Sequence, residues 1–232
     1  MGQSAKRNRQ IAALGIGLLA LLSGPRAARA FPDAPDWHAL VSTGKLVEIA
    51  KVDPAIRIEM RYAGTRNCVG AALYPPGFPC LIRPEIAQRL HWVQQLLRER
   101  GYGLKVWDAY RPEEAQRSIW RRFARHGYVA DPNDGRGSLH TWGLAVDVTI
   151  VDLKGKEIPM PSEFDDFTPA ASAFYRGTDA TIRADLQLLR AVMRASGFIG
   201  LSTEWWHFAA RDWQEFPRLE IAPRPPPTRH GA

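Results

Sequence analysis

Two histidines, an aspartate and a glutamate stand out from otherwise apolar surroundings. His140 and Asp147 lie in the stretch SLHTWGLAVD, residues 138–147, and Glu204 and His207 bracket EWWH, residues 204–207. Burying a polar group without a partner costs on the order of 2–7 kcal/mol, and a charge costs more. Such groups at the mouths of apolar strands therefore need something to take their lone pairs. Two imidazoles and one carboxylate are the ligand set of an open catalytic zinc site, with water in the fourth place. His140, Asp147 and His207 would be that set. Zinc lowers the pKa of its water to about 7 and polarises a carbonyl, and Glu204 would be the base that hands the water's proton to a leaving amine. The other histidines, His38, His91, His126 and His230, read as surface or hydrogen-bonded positions. There is no HExxH helix and no GxSxG elbow, and Ser138 has no better claim to be a nucleophile than the other serines.

The elements that must carry these residues impose a condition. Residues three apart on a regular strand point to opposite faces. Glu204 and His207 share a site only if Glu204 precedes the strand or a bulge intervenes, and the turn-like Ser202-Thr203 pair allows the first. His140 similarly sits in a loop before its strand, with Gly143 permitting the bend. Helices are expected over 84–101, where Pro84 suits a first turn and Ile86, Leu90, Val93 and Leu97 form one stripe, and over 112–127 and 181–197. Strands are expected over 104–110, 144–152 and 204–209. Without a strict βαβ rhythm, the fold class is α+β, a largely antiparallel central sheet flanked by helices.

The chain has 232 residues, 45% apolar and 24% charged, enough for one domain with a sizeable core. Its net charge of +7 is concentrated at the start: residues 1–30 hold Lys6, Arg7, Arg9, Arg26 and Arg29 and no acid, and the remainder has 26 basic against 24 acidic residues. No basic stripe with interleaved aromatics remains, so nucleic acid is not an expected partner. Residues 1–30 read as a signal peptide, with KRNRQ, the apolar run 11–22 and the cleavage site ARA, so that the mature chain begins at Phe31. The alternative is an uncleaved anchor, but the run is short for a bilayer, and no stable membrane insertion is expected after cleavage. Residues 31–221 form the expected catalytic domain, and 222–232 a Pro-rich, disordered tail. Cys68 and Cys80 bracket a Gly/Pro-rich loop. In an exported chain they are a disulfide candidate worth roughly 3 kcal/mol, the alternative being two free buried thiols.

These residues resemble the zinc D,D-peptidases. SLHTWGLAVD fits the family's S-x-H-x-x-G-x-A-x-D pattern and EWWH its E-x-x-H pattern. The family includes VanY-type D,D-carboxypeptidases and VanX-type D-alanyl-D-alanine dipeptidases, and the hedgehog signalling domain shares its fold. MRYAGTRN (60–67), DAYRP (108–112) and MPSEFDDF (160–167) look specifically like the dipeptidase branch and come in its order, so the resemblance spans roughly residues 45–215.

The resemblance implies one zinc ion on His140, Asp147 and His207, Glu204 as general acid/base, and Arg111 bonded to the carbonyl oxygen as it becomes tetrahedral. Asp165, with Asp166 adjacent, would grip the free amine of a small D,D-dipeptide. Ser138 and Tyr62 are further candidates for substrate contact, and residues 160–180 would wall the cleft against longer peptides. The implied activity is hydrolysis of D-Ala-D-Ala to D-alanine in the periplasm or outside the cell. The alternatives are a periplasmic D,D-carboxypeptidase acting on peptidoglycan stem peptides and, in another class, an inactive zinc-containing binding module. Intact Glu204 and Arg111 argue against the last.

Overall fold

The computed structural model describes residues 37–124 and 128–220. The expected signal peptide, the tail from 222 onward, His126 and His230 lie outside the described residues. The elements run α1 (Trp37–Ser42), β1 (Val47–Glu48), α2 (Ile49–Val52), β2 (Arg57–Ile58), β3 (Leu81–Ile82), α3 (Pro84–Arg98), β4 (Tyr102–Asp108), α4 (Glu113–Phe123), β5 (Ala145–Asp152), α5 (Ala180–Ala195), β6 (Phe198–Gly200) and β7 (His207–Ala210). Five strands form one sheet in the order β2-β4-β5-β7-β6, while β1 and β3 pair separately. Among the described strands only β2 and β4 run parallel; the other pairs are antiparallel. The fold is therefore α+β with a largely antiparallel sheet. No described helix is long and apolar enough to cross a membrane.

The central strand β5 reads AVDVTIVD and is buried along nearly its whole length. Alternation puts Val146, Val148 and Ile150 on one face and Ala145, Asp147 and Thr149 on the other. Helices α3 and α5 close the core. The α3 stripe of Ile86, Leu90, Val93 and Leu97 is completely buried, each side chain worth about 1.5–3 kcal/mol of burial. Pro84 sits in the first turn of α3, and Asp179 caps α5 by accepting from the N–H groups of Thr181 and Ile182.

Two departures from the expected elements matter for the site. The last strand begins at His207 rather than 204, because Glu204–Trp206 forms a turn in which the His207 N–H donates to Glu204 O at 3.3 Å. Glu204 thus precedes the strand, and the condition on its spacing from His207 is met without a bulge. Strand β4 ends at Asp108, after a register irregularity between Val106 and Asp108 against β5. Beyond it, Asp108 pairs with Asp147, and Asp147 in turn pairs with His207 on β7.

The disulfide considered for Cys68 and Cys80 is not formed: both are free thiols. The ends of their loop are tied to different places. Cys80 is in the core before β3, its carbonyl accepting from Ile49, whereas the half-buried Cys68 donates its N–H to Asp165 Oδ2 at 2.9 Å. Burial pushes both thiols well above their ordinary pKa.

Gly143 makes the bend between His140 and β5. Its φ is +67°, and a Cβ there would meet Leu46 Cδ2 at 2.8 Å. Gly143→Ala combines left-handed strain with a clash against a buried side chain, and is expected to cost about 2–3 kcal/mol. Its urea midpoint should fall accordingly.

Candidate active site

The strand register brings the separated motifs together. His140, Asp147 and His207 place one ligand atom each within 4.8 Å of one another. His140 Nε2 is 3.1 Å from His207 Nδ1, and Asp147 Oδ1 is 3.0 Å from His207 Nδ1 and 3.3 Å from His140 Nε2. His140 donates through Nδ1 to Ala109 O at 2.8 Å, which leaves the Nε2 lone pair facing the other two groups. This is the outer-sphere bond that orients ligating imidazoles. Three donors on metal bonds of about 2.0–2.1 Å in tetrahedral geometry stand roughly 3.3 Å apart. The observed separations and the N,N,O donor set fit a small divalent cation such as zinc.

Asp147 is the buried hinge of this cluster. Burial opposes its ionisation, but the His140 and His207 rings outweigh that and hold its carboxyl well below the usual range. Its second oxygen, Oδ2, faces Arg111 Nη2 at 3.4 Å. Arg111 is buried rather than an exposed helix-start residue. It donates from Nε to Asp108 Oδ2 at 2.9 Å and from Nη1 to Gln116 Oε1 at 2.8 Å, and its guanidinium lies 4.9 Å from the Tyr62 ring centroid. Burial works against the charge, yet Asp108 and the other groups around it keep the guanidinium firmly protonated. Asp108 is fixed in turn by Tyr74, whose hydroxyl donates to Oδ1 at 2.6 Å, and Gln116 by Ala130 O at 2.7 Å.

Around the cluster lies a cleft of about 250 Å³, lined among others by Tyr62, Arg111, Ser138, Asp147, Asp165, Glu204 and His207. Burial pushes the Glu204 carboxyl up to about 8, with Asp147 and Asp165 adding to the shift and Arg111 and His140 opposing it. The turn that presents Glu204 is anchored by its neighbours. Trp205 packs edge-on to Trp107 at 5.6 Å, and Trp206 to Phe164 at 5.6 Å. Phe164 holds the next residue, Asp165, at the cleft. Tyr62 donates to Asp165 Oδ1 at 3.2 Å, and burial pushes this carboxyl up to about 6. Asp165 has a φ of +58°, the left-handed region, in which it stands alone among the described non-glycine residues. Its neighbour Asp166 does not line the cleft, but Phe167 does, stacked 5.3 Å from Tyr128. Residues 168–170 and 172 instead line a separate groove. The Ser138 hydroxyl accepts the His140 N–H at 3.3 Å, which ties it to the loop carrying that ligand.

Three supporting residues were not singled out from sequence: Asp108, Tyr74 and Gln116. Asp108 was within reach, since it opens DAYRP three residues before Arg111. Tyr74 and Gln116 carry no comparable signal, because only the fold brings them to Asp108 and Arg111.

A His-Asp-His cluster able to hold a cation, with an acid, a guanidinium and a second acid around one small cleft, has the make-up of a metallopeptidase site. A family model described as D-ala-D-ala dipeptidase matches residues 42–219, and the chain belongs to that family. It is 32% identical over 177 residues to the D-alanyl-D-alanine dipeptidase of Escherichia coli, covering 76% of this chain and 90% of that protein. It is 31% identical over 150 residues to the enzyme of the same name from Enterococcus faecium, covering 55% of this chain and 72% of that protein. Among solved structures, a zinc-bound variant of the vancomycin-resistance D,D-pentapeptidase VanY aligns at 20% identity with a TM-score of 0.37, over 61% of this chain and 79% of that one.

The ion pairs behind Arg111 make a stability prediction. Asp108→Asn leaves the buried guanidinium without its nearest counter-charge. It should cost about 3 kcal/mol, read as a lowered denaturant midpoint.

Proposed function

We propose that this chain hydrolyses the dipeptide D-Ala-D-Ala to two molecules of D-alanine, with zinc held by His140, Asp147 and His207. The observation that carries this reading is that Asp147, Asp165, Glu204 and His207 line one cleft of about 250 Å³, with His140 directly behind, 3.1 Å from His207 and 3.3 Å from Asp147. That is below the roughly 300–1,000 Å³ of pockets for drug-sized ligands, and it suits a dipeptide better than a polymer. The names of the family and its relatives point the same way. When bound, zinc would polarise the scissile carbonyl and acidify the attacking water.

The chain's own residues do the rest. Glu204 accepts a proton from water as the water oxygen bonds to the carbonyl carbon. It then delivers that proton to the leaving nitrogen as the C–N bond breaks, so one water is consumed per peptide bond. Arg111, already aligned by Asp108 and Gln116, supplies fixed positive charge where the carbonyl oxygen becomes negative, an effect typically worth about 10²–10³ in rate. Asp165 holds the substrate ammonium, and Tyr62 and Cys68 aim its two oxygens. Phe167 and Tyr128 narrow the cleft beside it, which disfavours an acylated amine and hence a peptidoglycan stem. Reading residues 1–30 as an export signal supports a site of action in the periplasm or outside the cell.

Purified zinc-loaded protein should release D-alanine from D-Ala-D-Ala. Glu204→Gln should lower kcat by about 10²–10⁴ while zinc content stays at one per chain. Release from a stem pentapeptide but not from the dipeptide would overturn the dipeptidase reading in favour of the carboxypeptidase. Turnover of neither would leave the binding-module reading.

A pH limb should also appear. Asp165 is protonated below about 6 and cannot then hold an ammonium as an ion pair. Glu204 must be ionised to act as the base, and its carboxyl sits at about 8. At saturating zinc, kcat/KM for the dipeptide should therefore fall below about 8 and more steeply below about 6. Asp165→Asn should keep the upper limb, lose the added steepness below about 6 and show a raised KM.

A further inference from the structure

A dipeptide at neutral pH is a zwitterion, and the reading above provides for its amine but not for its carboxylate. Two arginines line the cleft, Arg111 and Arg136. Arg111 is committed, with Asp108 and Asp147 as counter-charges inside the protein. Arg136 is exposed and makes no ion pair among the described residues, although Asp147, Asp165 and Glu204 line the same cleft.

Its placement is nevertheless fixed. The N–H groups of Arg136 and Gly137 both donate to Asp134 Oδ1, at 3.0 and 2.6 Å. The Arg136 carbonyl accepts from Trp142 Nε1 at 3.0 Å and from Arg218 Nη2 at 3.4 Å. Its guanidinium lies 5.6 Å from the centroid of Trp213, another residue of the cleft lining. Two residues later comes Ser138, and two after that His140. The loop that carries the first metal-ligand candidate therefore also carries an uncommitted cation at the mouth.

We infer that Arg136 is the specificity residue that receives the free C-terminal carboxylate of the substrate, which makes this cleft selective for peptides ending in an unblocked acid. A guanidinium offers a planar pair of N–H donors that matches a carboxylate, and stacking on Trp213 restricts the side chain without occupying those donors. Arg136, Ser138 and Trp213 line the same cleft as Tyr62, Asp165 and Glu204. A zwitterion with its amine on Asp165 and its carboxylate on Arg136 would thus have both charges met within the cleft that Glu204 also lines. The inference rests on the proposed dipeptidase activity and adds the source of its carboxylate selectivity.

The test separates binding from turnover. D-Ala-D-Ala and its C-terminal amide are titrated calorimetrically into zinc-loaded Glu204→Gln protein, with and without Arg136→Gln. The acid should bind at least about 10-fold more tightly than the amide when Arg136 is present, and the gap should shrink to about 2-fold or less in Arg136→Gln. Amide affinity should be the same in both proteins, and Arg136→Lys should restore part of the gap. A gap that survives Arg136→Gln, an equal loss for both compounds, or the absence of any gap or binding would overturn the inference. Failure of the wild-type chain to release D-alanine would instead count against the dipeptidase reading, and the titration would still report on Arg136.

Discussion

The Asp147 carboxylate is asked to do two things at once, and the surrounding structure is arranged so that it can. One oxygen faces two imidazole nitrogens at 3.0 and 3.3 Å; the other faces a guanidinium at 3.4 Å. A buried carboxylate in this position is tolerable only while those partners stay in place. The partners arrive from elements far apart in sequence: Arg111 just after β4, His140 from the loop before β5, and His207 at the head of β7. Asp108, Tyr74 and Gln116 form a further layer that keeps Arg111 from collapsing onto Asp147 alone. Charge balance in the centre of the sheet and catalytic geometry at its edge are therefore the same set of contacts.

Sheet register turns those contacts into a site. A one-residue slip of β7 against β5 would carry His207 to the other face of the sheet. The turn that leads into β7 is packed by apolar side chains: Trp205, Trp206 and Phe164 interlock. Phe164 is adjacent to Asp165, so the packing that holds the Glu204 turn also holds the proposed amine site. This economy leaves little freedom at the floor of the cleft. Variation is easier at its rim, where Arg136 sits on a polar, glycine-containing loop.

Much of this was legible in the sequence. Hydrophobic periodicity outlined α3, β5 and α5 because each is amphipathic or continuously apolar over several turns or residues. His140, Asp147, Glu204 and His207 could be grouped because each breaks an apolar run. What could not be read was anything decided by tertiary pairing: the register irregularity near Asp108, the recruitment of Tyr74 and Gln116, and the destinations of Cys68 and Cys80. The cysteine spacing was compatible with a bridge, but spacing cannot report that one end is drawn to Asp165 and the other into the core. Arg136 escaped for the opposite reason, since an exposed arginine in a polar loop looks like any other.

The left-handed backbone of Asp165 has a consequence of its own. Among residues with side chains, asparagine and aspartate visit that conformation most readily, and only aspartate adds a negative charge. Glutamate would keep the charge but resist the turn; glycine would keep the turn and lose the charge. Under the proposed amine-binding role, position 165 is thus filtered twice, once by chain geometry and once by chemistry, and the filters overlap in a single amino acid. A lineage moving toward substrates without a free amine would more easily rebuild the whole 160–167 segment than drift through this residue one substitution at a time.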